Sequence, residues 1–298
     1  MKSIFLSILT LTGAVLSLTL HAAEVFHLPV WDQAPPEENG LSGPEKQGGC
    51  IGNISQASLS IHLPQPNRAT GIAVVITPGG GYGVVCADSE GEQIAAMLAR
   101  RGIAGIVVKY RLPNQHHKIP AEDARRAIQI VRAKAREWRI HPGQVGIWGF
   151  SAGGHLASTV SNTFVPPNPK AEDPIQQHGS RPDFSILFYP VISMKTGITH
   201  RGSRNNLLGP DASEDLVQQY SNELQVSGKT PPTFLLHAAD DKVVSIENTL
   251  SYYQALLAHS IPARLVAFET GGHGPNAFHN NPSWAPIFDD WIMQRLIK

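Results

Sequence analysis

Two hydrophobic patterns take turns along most of the chain. Short, unbroken apolar runs occur at 71–77 (GIAVVIT), 103–110 (IAGIVVKY), 144–150 (QVGIWGF), 184–189 (FSILFY), 233–237 (TFLLH) and 263–269. Runs of this length, bounded by Gly, Pro and polar residues, predict strands buried on both faces. Residues 57–63 alternate between small or polar and apolar side chains and predict one more strand. Between these runs, apolar residues three and four apart predict helices. The first covers 89–101, with Ile94, Met97 and Leu98 together and Gly102 as its stop; the second covers 121–138, with Ala124, Ile128 and Val131 on one face. Further helices are predicted over 153–162, 246–259 and 283–297. The stretch 196–230 reads as a polar excursion with one helix near 214–220, and the Pro-, Gly- and Gln-rich residues 24–55 as an extended lead-in over the surface.

Strands that alternate with helices specify an α/β fold with a mostly parallel sheet and helices on both faces. No repeat, low-complexity tract or dividing linker interrupts 24–298, which reads as a single domain. The first residues carry a different signal. Met1-Lys2 precede an apolar run from Ile4 to Leu20, and small residues Ala22-Ala23 precede Glu24. This order predicts a signal peptide over 1–23 and export to a periplasmic or extracellular space. The run is short for a membrane span and is diluted by Ser, Thr and Gly, so no membrane association is expected after its removal.

Composition narrows the function classes. Lys+Arg and Asp+Glu both number 24, so no basic excess is present to hold nucleic acid. The 42% apolar content argues against disorder. Cys50 and Cys86 are the only cysteines, which excludes a disulfide scaffold and a cysteine-rich zinc site. In an oxidising compartment the two could bridge, tying the lead-in to the glycine loop; two buried free thiols fit the sequence equally well. No metal or organic cofactor is implied.

The chemistry begins at Gly149-Phe150-Ser151-Ala152-Gly153, which fits G-x-S-x-G. It follows one predicted strand and precedes one predicted helix, the context in which a sharp turn lifts a serine hydroxyl to the end of a sheet. Thr77-Pro78-Gly79-Gly80-Gly81-Tyr82-Gly83 follows an earlier strand. Consecutive glycines let backbone N–H groups approach a developing oxyanion. A Walker loop would need Gly-Lys-Ser/Thr here, and the chain has Gly-Tyr-Gly. A serine nucleophile needs a base and the base an orienting acid, both from loops after later strands. His273, flanked by glycines after the last strand, is the candidate base, with His279 as runner-up. His155 lies one turn into the helix after Ser151 and reads as a packing or capping residue. Asp240 and Asp241 follow the strand at 233–237, and position alone does not separate them.

The segments PGGGYGVV (78–85), EGEQIAAMLARRGIAGIVVKYRLP (90–113), PAEDARRAIQIVRAKAREW (120–138), GIWGFSAGGHLAS (146–158), PPTFLLHAADDKVVSIENTLSYYQAL (231–256) and GGHG (271–274) resemble α/β-hydrolase serine esterases. More narrowly, they are similar to bacterial secreted acetyl xylan esterases and bifunctional acetyl xylan/feruloyl esterases. The resemblance implies the α/β-hydrolase fold and a Ser-His-Asp triad in chain order. Its H-G-x-x-D pattern falls on His237 and Asp241, which makes Asp241 the acid, although Ala238 replaces the pattern's glycine. It also implies an oxyanion hole from Gly80, Gly81 and Ala152; Pro78 stands where related esterases often carry histidine.

The function expected is a secreted serine esterase removing short acyl groups, acetyl above all, from plant polysaccharides such as xylan. Its partner is a carbohydrate ester or other small ester, with Tyr82 and Trp284 as candidate flat faces for a sugar or feruloyl ring. Relatives are sometimes labelled xylanases, but the sequence offers no convincing pair of opposed carboxylates for a glycosidic bond. Two rivals are a serine peptidase of the prolyl-oligopeptidase type, against which the lack of an N-terminal propeller counts, and a non-catalytic hydrolase-fold binding protein.

Overall fold

The computed structural model describes residues 24–294. The predicted signal segment 1–23 and the end of the last predicted helix lie outside the described residues. Eight strands form one sheet: β1 (Glu24–Pro29), β2 (Ser58–Leu63), β3 (Ala73–Thr77), β4 (Ala104–Lys109), β5 (Val145–Phe150), β6 (Ser185–Phe188), β7 (Thr233–Ala238) and β8 (Ala263–Phe268). The spatial order is β1-β2-β4-β3-β5-β6-β7-β8. The β1–β2 and β2–β4 pairs are antiparallel and every later pair is parallel, giving the mostly parallel sheet that the apolar runs predict.

The unbroken runs have a direct physical cause. Successive strand residues point to opposite faces, so a strand covered on both sides needs apolar residues at every position. In β3, Ala73 and Val75 belong to one core while Val74 and Ile76 belong to the other. The first core is closed by α2 (Ile119–Ala133), α3 (Ser151–Asn162) and α6 (Glu247–Ala258), through residues such as Ile128, Val131, Leu156 and Leu256. The second is closed by α1 (Gln93–Arg100) and α8 (Trp284–Met293), through Ile94, Leu98, Trp284, Phe288 and Trp291.

Several local expectations change. Residues 24–29 of the lead-in form edge strand β1, whose Phe26 and Leu28 pack on the first core. The segment predicted as one helix over 89–101 opens as a π-helical turn, Asp88–Glu92, before α1. α2 ends at Ala133, short of the predicted 138, and residues 134–139 continue as turns. The polar excursion contains a second helix, α4 (Arg201–Leu208), ahead of α5 (Glu214–Tyr220). α4 escapes hydrophobic periodicity because only Ser203, Leu207 and Leu208 are buried. Its start is also unmarked in sequence: His200 caps it, Nδ1 accepting the Ser203 N–H. The short α7 (Asn276–His279) lies between β8 and α8.

Cys50 and Cys86 are joined in a disulfide, and Ile51 and Val85 exchange two backbone hydrogen bonds beside it at 2.8 Å each. The lead-in is therefore anchored to the end of the glycine loop.

Candidate active site

The loops after β3, β5, β7 and β8 converge at the carboxyl ends of the parallel strands. Ser151 is the first residue of α3 and has φ +51°, a conformation that costs energy for any residue with a Cβ. The neighbouring glycines make the turn possible. A Cβ on Gly153 would overlap the Thr77 and Pro78 carbonyl oxygens, and one on Gly149 would overlap the Gly153 carbonyl. Helix α3 can thus start immediately against the ends of β3 and β5, leaving the Ser151 hydroxyl at its N-terminus.

His273 Nε2 lies 3.0 Å from Ser151 Oγ, and His273 Nδ1 lies 2.6 Å from Asp241 Oδ2. A carboxylate at Nδ1 places the ring proton there, so Nε2 is the acceptor for the serine O–H. Asp241 is itself held by several donors. Its Oδ1 accepts the N–H groups of Val243 and Val244, and His237 Nε2 is 3.2 Å from Oδ2. Burial alone would raise its pKa, but the bonds from His237, His273 and Val244 outweigh it and hold the carboxyl well below the usual range. His237 is fully buried and its Nδ1 is 2.7 Å from Thr249 Oγ1, which fixes the ring under Asp241. Asp240 instead accepts the Gly272 N–H at 2.8 Å.

Peptide geometry orients three backbone donors. In a trans peptide the C=O and the following N–H point in opposite directions. The Gly79 carbonyl accepts from Cys86 N–H, the Gly80 carbonyl from Gly83 and Val84 N–H, and the Ser151 carbonyl from Val191 N–H. The N–H groups of Gly80, Gly81 and Ala152 are therefore turned away from those partners, and among the described residues none donates to a protein acceptor. Gly80, at φ +125°, makes this fold of the loop possible; a Cβ there would overlap the Val84 carbonyl. The Ala152 N–H lies in the first turn of α3, which has no intrahelical acceptor for it.

Other residues singled out in sequence fall elsewhere. Tyr82 and Trp284 lie almost wholly in the interior, 2% and 5% exposed, although Tyr82 borders the open cleft beside the glycine loop. The Tyr82 hydroxyl is 2.8 Å from His155 Nδ1, and Trp284 sits among Trp148, Phe188 and Phe288 with its Nε1–H donated to the Phe278 carbonyl. Both rings belong to the hydrophobic cores, a placement that the sequence pattern does not distinguish from a ligand platform. His155 is fully buried between Tyr82 and the Tyr220 carbonyl and does not reach Ser151's proton path. Burial pushes its pKa down to about 4, partly opposed by the bond to Tyr220. His279 is exposed on α7 and its ring meets Phe278.

Two groups at the site lie outside the residues that the sequence motifs single out. α4 lies across the glycine loop: Asn206 Nδ2 donates to the Gly81 carbonyl at 2.8 Å, and His200 Cε1 is 3.8 Å from the Cβ position of Gly81. Burial and the neighbouring His273 push the His200 pKa down. Its Nδ1 accepts the Ser203 N–H, so the neutral ring carries its proton on Nε2. The spacing of His200, Ser203 and Asn206, three residues apart, was the available signal. The second group is Glu90, a buried carboxylate bonded to Gly79 N–H. Nothing in its local sequence marks it.

Beside the glycine loop lies an open cleft of about 530 Å³, whose lining includes Lys46, Gln47, Asn53, Asn114 and Asn206 together with Leu41 and Leu112. Among the described residues no cluster of three or more His, Cys, Asp or Glu is arranged to hold a metal, and no helix is long and apolar enough to cross a membrane.

The BD-FAE family model matches residues 59–256. An acetylxylan esterase of Xylanibacter ruminicola is 40% identical over 213 residues, covering 70% of this chain and 42% of that protein. The endo-1,4-beta-xylanase B of Butyrivibrio fibrisolvens is 35% identical over 209 residues, covering 67% and 32%. The chain thus spans less than half the length of either relative. Among solved structures, an acetyl ester-xyloside bifunctional hydrolase from Caldicellulosiruptor lactoaceticus superposes with a TM-score of 0.81 at 33% identity, over 90% of this chain and 96% of that one. A second solved structure, from Lactobacillus plantarum, superposes with a TM-score of 0.70 at 20% identity, over 93% of this chain and 100% of that one, and shares the fold.

Proposed function

This chain belongs to the BD-FAE family and has the α/β-hydrolase fold, and from that premise we propose that it is a serine esterase removing short acyl groups, acetyl above all, from plant polysaccharides such as xylan. The observation that carries this reading is the pair of contacts on the two nitrogens of His273, to Ser151 Oγ at 3.0 Å and to Asp241 Oδ2 at 2.6 Å.

In this reading His273 Nε2 takes the Ser151 proton as Oγ attacks the ester carbonyl. Asp241 keeps the ring in register and stabilises the imidazolium. The N–H groups of Gly80, Gly81 and Ala152 receive the oxyanion. His273 returns the proton to the departing sugar oxygen, leaving an acyl group on Ser151, and water then repeats the sequence to release the acid. Neither step requires a cofactor.

The acyl and alcohol sides are inferred from the surroundings. The cleft beside the loop mixes apolar side chains such as Leu41, Val84 and Leu112 with Lys46 and the amides of Gln47, Asn53, Asn114 and Asn206, and these polar groups suit sugar hydroxyls. A long acyl chain needs an extended apolar groove, at about 0.8 kcal/mol per buried CH₂. The α4 insertion presents His200 and Asn206 to the loop instead. Similarity to an acetylxylan esterase and to an acetyl ester-xyloside hydrolase supports the carbohydrate ester. Glycosidic cleavage is not part of the proposal: both carboxylates near Ser151, Asp241 and Glu90, have their oxygens engaged by protein donors.

The test compares kcat/KM for acetylated xylo-oligosaccharides, a feruloylated arabinose ester and an octanoyl ester, with Ser151→Ala as control. Preference for the acetylated oligosaccharide is expected; preference for octanoyl rejects the short-acyl reading. Fluorophosphonate labelling of Ser151 separates an enzyme from a binding protein, and peptide substrates separate an esterase from a peptidase. Export is proposed from residues 1–23, with 24–298 as one mature domain. Mass spectrometry of protein recovered outside the cytoplasm is expected to find Glu24 at the N-terminus.

A further inference from the structure

A carboxylate that the triad does not use lies buried under the glycine loop. Glu90 is 5% exposed and sits in the π-helical turn Asp88–Glu92, where the Glu92 N–H reaches back five residues to the Ala87 carbonyl. Single π turns frequently occur at functional sites. Here both Glu90 oxygens meet neutral donors: Oε2 accepts the Gly79 N–H at 2.7 Å and Oε1 accepts the Tyr189 hydroxyl at 2.9 Å. A backbone N–H can only donate, so Gly79 fixes Oε2 as an acceptor, and the Tyr189 hydroxyl serves Oε1 when the carboxyl is ionised.

The consequence for the loop is specific. The Pro78 carbonyl, which shares a peptide plane with the Gly79 N–H, accepts from the Tyr110 hydroxyl at 2.9 Å. One peptide is thus gripped at both polar ends, by Tyr110 and by Glu90, immediately before the donors at Gly80 and Gly81. A Cβ on Gly79 would stand 2.7 Å from Glu90 Oε2 and 2.9 Å from Ser151 Cβ, so carboxylate, loop and nucleophile meet at one point. On its other side Glu90 holds Tyr189, whose ring meets the His273 ring edge-on at 5.0 Å.

We propose that Glu90 is a positioning residue of this site, locking the first peptide of the glycine loop and supplying, besides Asp241, a second negative charge that favours the His273 imidazolium formed when Ser151 gives up its proton. The catalytic half of this inference rests on the serine-esterase reading. The groups around His273 are Asp241 from the loop after β7, Tyr189 from the end of β6, His200 from the segment before α4, Ser151 from the elbow, and Glu90 from the π turn. Those around Glu90 are the Gly79 N–H, Tyr189, Tyr110 and His273. Burial raises the Glu90 pKa, while Gly79, Tyr189 and His273 oppose that rise. His200, pushed down by burial and by His273, adds no charge at neutral pH.

Glu90→Gln and Glu90→Asp separate charge from reach. Gln keeps the shape and removes the charge; Asp keeps the charge on an arm too short to serve both Gly79 and Tyr189. In the full chain, NMR titration of the His273 ring is expected to move its midpoint down by about 0.5 pH unit or more in E90Q, because a nearby negative charge favours the protonated ring. E90D is expected to leave that midpoint within about 0.2 unit of wild type. With 4-nitrophenyl acetate, kcat is expected to fall about tenfold in both variants with KM little changed, the pattern of lost transition-state stabilisation. An unmoved His273 midpoint in E90Q rejects the charge role, and an unchanged kcat in E90D rejects the positioning role. Should E90Q fail to fold, E90D decides on kcat alone. The NMR shift needs no turnover, so a wild-type protein that cleaves no ester would sink the esterase reading while the Glu90 charge was still measured.

Discussion

Asp240 and Gly272 are joined by a 2.8 Å hydrogen bond, carboxylate to backbone N–H, one residue before the histidine that Asp241 holds by its ring. The two adjacent carboxylates thus grip the same loop at neighbouring residues, one through the main chain and the other through the imidazole. Asp241→Asn is expected to lower kcat by about three to four orders of magnitude, because the ring loses the group that sets its tautomer. Asp240→Asn keeps an acceptor for Gly272 and is expected to cost about tenfold or less. Steady-state kinetics on one acetyl ester rank the two; the reverse order would transfer the orienting role to Asp240. Since Asp241 is held well below the usual carboxylate range, it stays ionised through mild acid, and acid loss of activity above that range belongs to other groups.

His155 links pH to stability. Its pKa drops from an ordinary 6.5 to about 4 on folding, chiefly through burial. Between those values the unfolded chain binds the proton and the folded one does not, so stability is complete above about pH 6.5 and declines as pH falls toward 4. The total contribution is about 3 kcal/mol at 1.36 kcal/mol per unit. Urea unfolding at pH 7.5 and 4.5 measures it. His155→Gln is expected to be less stable at pH 7.5 but to lose less on acidification; equal losses in both proteins would show that other groups carry the effect.

Reduction of the disulfide between Cys50 and Cys86, separated by 36 residues, is expected to lower stability by about 3–4 kcal/mol through the freed loop entropy. The Ile51–Val85 backbone pair should keep the glycine loop in place, so the reduced protein retains most of its kcat at low temperature. Differential scanning calorimetry with and without reductant, alongside a Cys50→Ser/Cys86→Ser variant, reads both quantities. A large kcat loss in the folded, reduced protein would mean that the disulfide itself shapes the loop.

Tyr82→Phe removes the hydroxyl that meets His155 and leaves the buried ring in place. Stability is expected to fall by about 1–2 kcal/mol, the cost of leaving a buried partner unsatisfied, with KM for a sugar ester unchanged. A severalfold rise in KM alone would restore Tyr82 as a substrate contact.

Local chemistry made much of this protein readable from its residues. The strands declared themselves because a sheet covered on both faces needs apolar residues at every position, as at Ala73–Thr77. The serine elbow was equally plain, because Gly149 and Gly153 stand where any side chain would collide with the backbone. What tertiary structure decided lies in contacts between residues remote in sequence. His273 and Ser151 are 122 residues apart, and Glu90 and Tyr189 are 99 apart; no local propensity encodes either meeting. The same holds for α4, whose polar face lies on the glycine loop and so carries no apolar stripe. Tyr82 and Trp284 show the converse. A large aromatic side chain has the same identity whether it fills a core or faces a ligand, and only the packing around it assigned these two to the interior.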